Sequence, residues 1–210
     1  MSELNLSILA KPQQKLWDEF QQKATFLKSH GYYLAGGTAL AMQLGHRSSQ
    51  DFDYFSRSKN VGQSTRDWLN GFSDFVLRDF DADTVNGEIT RVKVTFIGAY
   101  KFRTMKPLVA AKNISLVHIF DIGLMKILAL THRATLRDYL DMAAILRSGV
   151  SLKDLLEMSQ KKYGPRFNPM VALRALGSFS DIDQEIPERL DPALQKSWQD
   201  IIRRAIKATA

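Results

Sequence analysis

Residues 32 to 55 read Tyr-Tyr-Leu-Ala-Gly-Gly-Thr-Ala-Leu-Ala-Met-Gln-Leu-Gly-His-Arg-Ser-Ser-Gln-Asp-Phe-Asp-Tyr-Phe. An apolar run stops at Gly36-Gly37, and a helix-forming run from Thr38 to Leu44 follows at once. This order predicts a strand, a tight glycine turn and a helix. Glycines at such a turn allow the backbone to approach an anion closely, and the free N–H groups of a helix start suit a phosphate.

Two acids close this segment, in Asp51-Phe52-Asp53. The two-residue period of a strand directs both carboxylates to one face and Phe52 and Tyr54 to the other. Neighbouring carboxylates repel each other unless a cation lies between them. Mg²⁺, or Mn²⁺ in its place, prefers oxygen ligands and completes its shell with water and phosphate oxygens. The pair therefore predicts a metal site at Asp51 and Asp53.

The whole segment resembles the AbiEii/AbiGii-type toxin family of the DNA polymerase β-like nucleotidyltransferases. The resemblance depends on Gly36-Gly37-Thr38, the helix after it, Gly45-His46-Arg47 and Asp51-Phe52-Asp53. Alone, a glycine pair is also an ordinary turn, and two acids are also solvated residues at a strand edge. Their combination in one short span is far more specific.

The resemblance implies an α+β fold, with a mixed nucleotidyltransferase sheet and flanking helices in residues 1–120 and a helical domain in residues 121–210. It implies transfer of a nucleoside monophosphate from a nucleoside triphosphate to an acceptor hydroxyl, at an RNA or tRNA end. Such an enzyme is the toxin of a toxin–antitoxin or abortive-infection system, and a cognate antitoxin is its expected partner. The implied nucleotide-binding residues are Gly36, Gly37, Thr38, Arg47, Ser49 and Lys126, and the implied catalytic residues are Asp51, Asp53, Lys126 and Asp138.

Lys126 lies in an otherwise apolar helical run, Ile122 to Thr131, for which Asp121 is the predicted N-cap. An ammonium buried without a partner costs several kcal/mol. Lys126 therefore either reaches solvent or meets an anion, and the resemblance implies that the anion is the nucleotide phosphate.

Asp138 and Asp141 are three residues apart on the next predicted helix, Thr135 to Arg147, and share one of its faces. The resemblance implies that one of these acids lies near the site. A salt bridge among Lys126, Arg137 and the two acids is the structural alternative, and both interpretations stay open. His46 is a weak candidate for a base or ligand, and it more readily shapes the turn or contacts phosphate.

Enzymes of this superfamily usually carry a third carboxylate on a later strand. Residues 74–97 predict two strands joined by a turn at Asn86-Gly87, and the matching position in the second strand holds Thr95. Glu88, a shifted alignment, or nucleotide binding with weak turnover would each account for the departure. A non-catalytic nucleotide- or RNA-binding module, and transfer to a protein hydroxyl, therefore stay open as alternative functions.

Residues 89–120 contain no acid and carry six cations interleaved with aromatic residues, namely Arg91, Lys93, Lys101, Arg103, Lys106 and Lys112 with Tyr100 and Phe102. Such a surface suits single-stranded RNA, because phosphates meet the charges and bases stack on the rings. Pairing with the acidic stretch before it is the structural alternative.

Composition limits the class of protein. A net charge of +7 favours a polyanionic partner, and the absence of cysteine excludes disulfides and thiolate chemistry. No apolar run reaches the roughly 18 residues that span a bilayer, and no signal pattern begins the chain. We expect a cytoplasmic protein with no membrane partner. A helix over Pro12 to His30 and three helices at 151–163, 168–177 and 192–208 complete the predicted elements.

Overall fold

A computed structural model describes residues 4–133, 135–180, 182–183 and 185–209. The chain divides into two units, which we call the sheet unit (Met1–Gln43 and Ser49–His118) and the helical unit (Leu44–Ser48 and Ile119–Ala210). Leu44–Ser48 thus groups with residues of the C-terminal half, although the sequence assigned it to a first domain. In the described part of the chain no helix is long and apolar enough to cross a membrane.

The sheet unit contains a seven-stranded mixed sheet with the order β3-β4-β5-β2-β1-β7-β6. Its strands are β1 (Tyr33–Ala35), β2 (Phe52–Phe55), β3 (Phe75–Phe80), β4 (Thr84–Ile89), β5 (Val92–Ile97), β6 (Val109–Ala111) and β7 (Ile114–Leu116). The β2–β5 and β1–β7 pairs are parallel, and the other neighbours are antiparallel. Strand β2, which carries Asp53, therefore lies in the middle of the sheet.

Aromatic side chains cover one face of this sheet. The unit's helices are α1 (Lys11–Gln22), α2 (Ala24–Ser29), α3 (Gly36–Leu44, whose last residue belongs to the helical unit) and α4 (Gly62–Leu69). Phe20 of α1 is fully buried, with its ring centroid 5.9 Å from that of Phe52 and 5.5 Å from that of Tyr54. The predicted helix from Pro12 to His30 is interrupted at Lys23, where α1 ends and α2 begins.

The predicted turn at Asn86-Gly87 is wrong, because both residues lie inside β4. The turn that joins β3 to β4 instead begins at Asp81. Its carboxylate accepts hydrogen bonds from the backbone N–H groups of Asp83 (2.8 Å) and Thr84 (2.7 Å). Glycine is needed at position 87 for packing, since a Cβ there would lie 2.5 Å from the ring of Phe75.

The helical unit consists of α5 (Ile119–Leu130), α6 (Leu136–Arg147), α7 (Leu152–Tyr163), α8 (Pro169–Gly177) and α9 (Pro192–Lys207). Side chains of Thr135, Ser151, Asn168 and Asp191 cap the starts of α6, α7, α8 and α9. The last three helices agree with the predicted ones. Asp121 is not an N-cap, because α5 already begins at Ile119, and its buried carboxylate forms an ion pair of 2.9 Å with Lys162.

Candidate active site

Gly36 joins β1 directly to α3 and adopts a φ of +68°, in the left-handed region that favours glycine. Register pairing of Ala35 with Asp53 brings the aspartate beside this junction. A Cβ at position 36 would lie 2.7 Å from Asp53 Oδ2, closer than real Cβ contacts allow. Glycine at position 36 thus allows the Asp53 carboxylate to approach the start of α3, where backbone N–H groups have no partner within the helix.

Thr38 connects the start of α3 to the chain that enters β2. Its hydroxyl donates to the backbone carbonyl of Asp51 and lies 2.9 Å from the Ser49 hydroxyl. Gln13 of α1 supports the same segment, because its amide donates to the Ser49 carbonyl at 2.8 Å. Thr38 and Gln13 are both buried. The glycine turn and the aspartate pair are therefore held together by specific hydrogen bonds.

Burial alternates over residues 51–54, with a period of two as predicted, between half-buried acids and buried aromatic residues. Phe52 and Tyr54 are fully buried in the aromatic core, whereas Asp51 and Asp53 are half-buried. Burial raises the pKa of Tyr54 well above its ordinary value, so this phenol stays neutral inside the core.

Thr95 lies beside Asp53, as its register partner on β5. Glu88 does not occupy that place, since it pairs in register with Lys93 and forms an ion pair of 3.2 Å with Arg78. One strand separates it from β2, which corresponds to roughly 10 Å between β4 and β2. Glu88 is therefore not the missing third acid beside Asp53.

Asp51 and Asp53 are the two carboxylates that this region offers to a metal ion. No cluster of three or more His, Asp or Glu side chains suited to a metal ion occurs among the described residues. Mg²⁺ is commonly held by one or two carboxylates together with substrate phosphates. Asp51 and Asp53 fit that limited ligand set, and they do not form an all-protein metal cage.

The helical unit contains a set of interacting titratable side chains, the ionic cluster. Its buried or nearly buried members are His46, Arg47, Lys126, Asp138 and Asp141, and the exposed Arg133 joins it through Asp138. Asp141 is fully buried and accepts from Arg47 Nε at 2.6 Å and from His46 Nε2 at 2.7 Å. Lys126 Nζ lies 2.6 Å from Asp141 Oδ2 and 2.7 Å from Asp138 Oδ1. The anion that Lys126 meets is thus a pair of aspartates.

Burial and charge act in opposite directions on this cluster. Burial alone would raise the pKa of Asp141, but the charges of Lys126 and Arg47 and hydrogen bonds from His46 and Arg47 hold it well below its usual range. Burial lowers the pKa of His46 despite its bond to Asp141. Burial also opposes the charge of Lys126, yet the two aspartates raise its pKa above the ordinary value. At neutral pH His46 is therefore neutral and the two aspartates are ionised.

Arg137 does not take part in this cluster, contrary to the salt bridge considered from sequence. Its guanidinium instead forms an ion pair of 2.5 Å with Glu185, which is largely exposed. Arg133, which the sequence did not single out, takes its place and lies 2.9 Å from Asp138.

A comparison with family profiles matches residues 21–209 to the family described as nucleotidyl transferase AbiEii toxin, type IV toxin–antitoxin system. This chain belongs to the AbiEii family. The match confirms the family resemblance that residues 32–55 indicated. The AbiEii family is described as a family of nucleotidyltransferase toxins.

This AbiEii-family chain is similar to a protein found by sequence and to proteins of known structure. An uncharacterized protein of Aquifex aeolicus (strain VF5) is 29% identical, over 84% of this chain and 86% of its own. The structure of MenT4, a nucleotidyltransferase toxin of Mycobacterium tuberculosis H37Rv, has a TM-score of 0.58 at 16% identity, over 83% of this chain and 74% of its own. JHP933 of Helicobacter pylori has a TM-score of 0.53 at 16% identity, over 96% and 94%. The predicted α+β fold with a mixed sheet and C-terminal helices is confirmed.

The predicted site residues of the AbiEii-family protein divide between the two units. Gly36, Gly37, Thr38, Ser49, Asp51 and Asp53 belong to the sheet unit, and Arg47, Lys126 and Asp138 belong to the helical unit. Gln13 could not be predicted as part of the site, since a glutamine near the start of an amphipathic helix has no local feature that distinguishes it from a solvated one.

Proposed function

We propose that this protein is an active nucleotidyltransferase that transfers a nucleoside monophosphate from a nucleoside triphosphate to a hydroxyl at an RNA or tRNA end. In this proposal it acts in the cytoplasm, where nucleotides and RNA are available, and a cognate antitoxin limits its toxicity. Membership of the AbiEii toxin family supports the reaction class and the antitoxin partner. The net charge of +7 supports a polyanionic acceptor.

The close approach of Asp53 to Gly36 carries the proposal. A carboxylate next to the N–H groups of a helix start, at a position where only glycine fits, brings a cation-binding group and a phosphate-binding group together. The Thr38 bond to Asp51 supports the same arrangement from the other end of the motif. A triphosphate bound there would contact Gly36, Gly37, Thr38 and Ser49.

Asp51 and Asp53 are the proposed ligands of Mg²⁺ or Mn²⁺. When bound, the ion would supply positive charge that neutralises the phosphate oxygens during transfer. The two carboxylates would otherwise repel both each other and the incoming triphosphate. Both residues are half-buried, and Asp53 lies in a central strand that pairs on both sides, which favours this role over that of solvated surface acids.

The reaction is an in-line displacement at phosphorus. The oxygen of the acceptor hydroxyl forms a bond to the α-phosphorus while the bond from that phosphorus to the β-phosphate oxygen breaks. Pyrophosphate leaves with the bonding electron pair, and the hydroxyl proton passes to water. Helix N–H groups directed at the phosphates stabilise the charge that develops on the oxygens. With Thr95 beside Asp53, no third carboxylate takes the proton in this scheme.

Arg47, Lys126 and Asp138 keep their proposed roles in binding and catalysis on the strength of the resemblance. Lys126 is the more accessible cation, with 12% of its side chain exposed, whereas Arg47 is 3% exposed. To contact a phosphate, Lys126 would exchange one aspartate oxygen for a phosphate oxygen. Asp138 would then hold the ammonium in place as its second partner.

Incubation with each labelled nucleoside triphosphate, Mg²⁺ and total RNA tests the proposal. We expect labelled RNA and released pyrophosphate, and a loss of at least about a hundredfold in rate for Asp53→Asn and for Asp51→Asn. Glu88→Gln is the matched control. It removes a carboxylate of the same sheet, on β4, which is separated from β2 by strand β5. Transfer that survives both aspartate substitutions would refute the assigned site.

A second candidate function is a nucleotide- or RNA-binding module without turnover, which the threonine beside Asp53 favours. It predicts saturable binding of a triphosphate and no release of pyrophosphate. Labelled polypeptide in place of labelled RNA would instead support the remaining alternative, transfer to a protein hydroxyl.

A further inference from the structure

Four aromatic side chains form a continuous row in the sheet unit, which we call the aromatic row: Tyr33, Phe55, Tyr100 and Phe102. The ring centroids of Tyr33 and Phe55 are 6.4 Å apart, those of Phe55 and Tyr100 are 4.8 Å apart, and those of Tyr100 and Phe102 are 5.9 Å apart. Tyr33 is buried and the other three rings are half-buried. The row therefore runs from the interior of the unit towards its surface.

The aromatic row lies on the same face of the sheet as Asp53. Phe55 follows Asp53 by two positions on β2, so their side chains point to one side, and Tyr33 is the register partner of Phe55 on β1. Two residues of strand correspond to roughly 7 Å along the chain. The aromatic core around Phe52 and Tyr54 occupies the opposite face.

Backbone hydrogen bonds fix the outer half of the row. After β5 the N–H of Ala99 donates to the Ser58 carbonyl at 2.7 Å, and the N–H of Tyr100 donates to the Ser56 carbonyl at 2.9 Å. Ala99 has a φ of +48°, which is uncommon for a residue with a side chain. Such backbone conformations persist where the surroundings hold them, and they concentrate at ligand sites. These backbone hydrogen bonds hold Tyr100 next to the end of β2, where its ring contacts that of Phe55.

Positive charge accompanies the outer rings. Lys101 and Arg103 alternate with Tyr100 and Phe102 along the chain and are both exposed. The sequence has no acid from residue 89 to residue 120. Alternation of cations with half-buried rings complements a single strand of nucleic acid, whose phosphates and bases also alternate.

We infer that the outer rings of the aromatic row, Tyr100 and Phe102, stack unpaired bases of the RNA acceptor, while Lys101 and Arg103 contact its phosphates. This inference rests on the proposed function, because it assigns the acceptor of that reaction to the sheet face on which Asp53 lies. Stacking on rings requires bases that are not held in a duplex, so the inferred ligand is a single-stranded end.

Fluorescence anisotropy with a labelled single-stranded RNA of about ten nucleotides tests the inference without Mg²⁺. A second probe of equal length lacks bases and keeps the phosphodiester charges. For the double variant Tyr100→Leu with Phe102→Leu we expect affinity for the RNA to fall by about tenfold or more, and affinity for the abasic probe to stay unchanged. Phe80→Leu is the matched control, because Phe80 is an exposed ring (38%) on β3, outside the row.

A second variant pair guards against misfolding. Tyr100→Phe and Phe102→Tyr keep both rings, and we expect them to bind the RNA as the unmodified protein does. Equal losses for the RNA and the abasic probe in the leucine variant, or no loss for either, would overturn the inference. A loss confined to labelled nucleoside triphosphates would also overturn it, because the row would then hold the incoming nucleotide.

Pyrophosphate release tests the proposed function independently of RNA binding. Ring-dependent RNA binding in a protein that releases no pyrophosphate would support the inference and refute the proposed transfer. Pyrophosphate release that depends on Asp53, combined with RNA binding that ignores the rings, would do the reverse.

Discussion

Asp53 and Thr95 are register partners on the parallel strands β2 and β5, so their side chains lie next to each other on one face of the sheet. This pair contains one of the two carboxylates that a metal-dependent site would place on these neighbouring strands. One carboxylate is in place beside the helix start that we propose binds the triphosphate, and the neighbouring position offers only a hydroxyl.

Thr95→Asp should convert this pair into a metal-dependent one. Without a divalent ion the new carboxylate repels Asp53, and we expect a loss of about 1 kcal/mol in the free energy of unfolding. Mg²⁺ should restore that stability and increase the rate of nucleotidyl transfer. Thermal melting with and without Mg²⁺ measures the first effect. Thr95→Asn introduces a side chain of the same shape as aspartate but without its charge, and its stability should not respond to Mg²⁺. An equal response of both variants to Mg²⁺ would contradict the metal site.

Gly36→Ala should damage both stability and transfer. The substitution carries two penalties, since the φ of +68° disfavours alanine and the new Cβ would meet Asp53 Oδ2 at 2.7 Å. We expect a loss of about 1–3 kcal/mol in the free energy of unfolding and a loss of transfer activity. Denaturant unfolding and the transfer assay measure them.

Gly164→Ala is the control for that experiment, because Gly164 also has a positive φ (+56°) and its added Cβ would meet nothing within 4 Å. It should show only the backbone part of the penalty and leave transfer unchanged. If both variants lose equal stability, the closeness of Gly36 and Asp53 has no energetic importance.

Features of the fold and the site could be predicted from sequence where the interacting residues lie close together along the chain. The glycine turn, the helix and the aspartates of residues 32–55 could be predicted because their signals are local. The turn predicted at Asn86-Gly87 was wrong, because glycine at position 87 makes room for the ring of Phe75 on the neighbouring strand and does not form a turn. For Asp141, the pairing with Lys126 was one of the two interpretations made from sequence. The pairing with Arg47 could not be found, because Arg47 lies 94 positions away in sequence.

Asp141→Asn should be among the most destabilising conservative substitutions in the helical unit. It removes a buried charge that Lys126, Arg47 and His46 share, and leaves two buried cations with fewer partners. We expect a loss of about 3–5 kcal/mol in the free energy of unfolding. Glu185→Gln removes an exposed carboxylate, also paired with an arginine, and should cost less than about 1 kcal/mol. Similar losses for the two variants would show that the ionic cluster is not an important source of stability.

The ionic cluster should also give the protein an asymmetric dependence of stability on pH. His46 faces Asp141, Arg47 and Lys126, and its pKa is lowered, so below about pH 6.5 the unfolded chain binds a proton that the folded chain resists. Stability should therefore begin to fall as the pH drops through that range. The pKa values of Asp138 and Asp141 are also lowered, so their contribution is present above about pH 4 and is lost as pH falls further.

At the alkaline end the sign reverses for Lys126. Its pKa is raised, so its contribution is complete below about pH 10.4 and is lost only as pH rises through the higher folded value. Denaturant unfolding across this range measures the curve for the unmodified protein and for His46→Gln. The variant should lose the decline between about pH 7 and pH 5 while keeping the steeper loss at lower pH. A decline that persists unchanged in His46→Gln would assign it to another group.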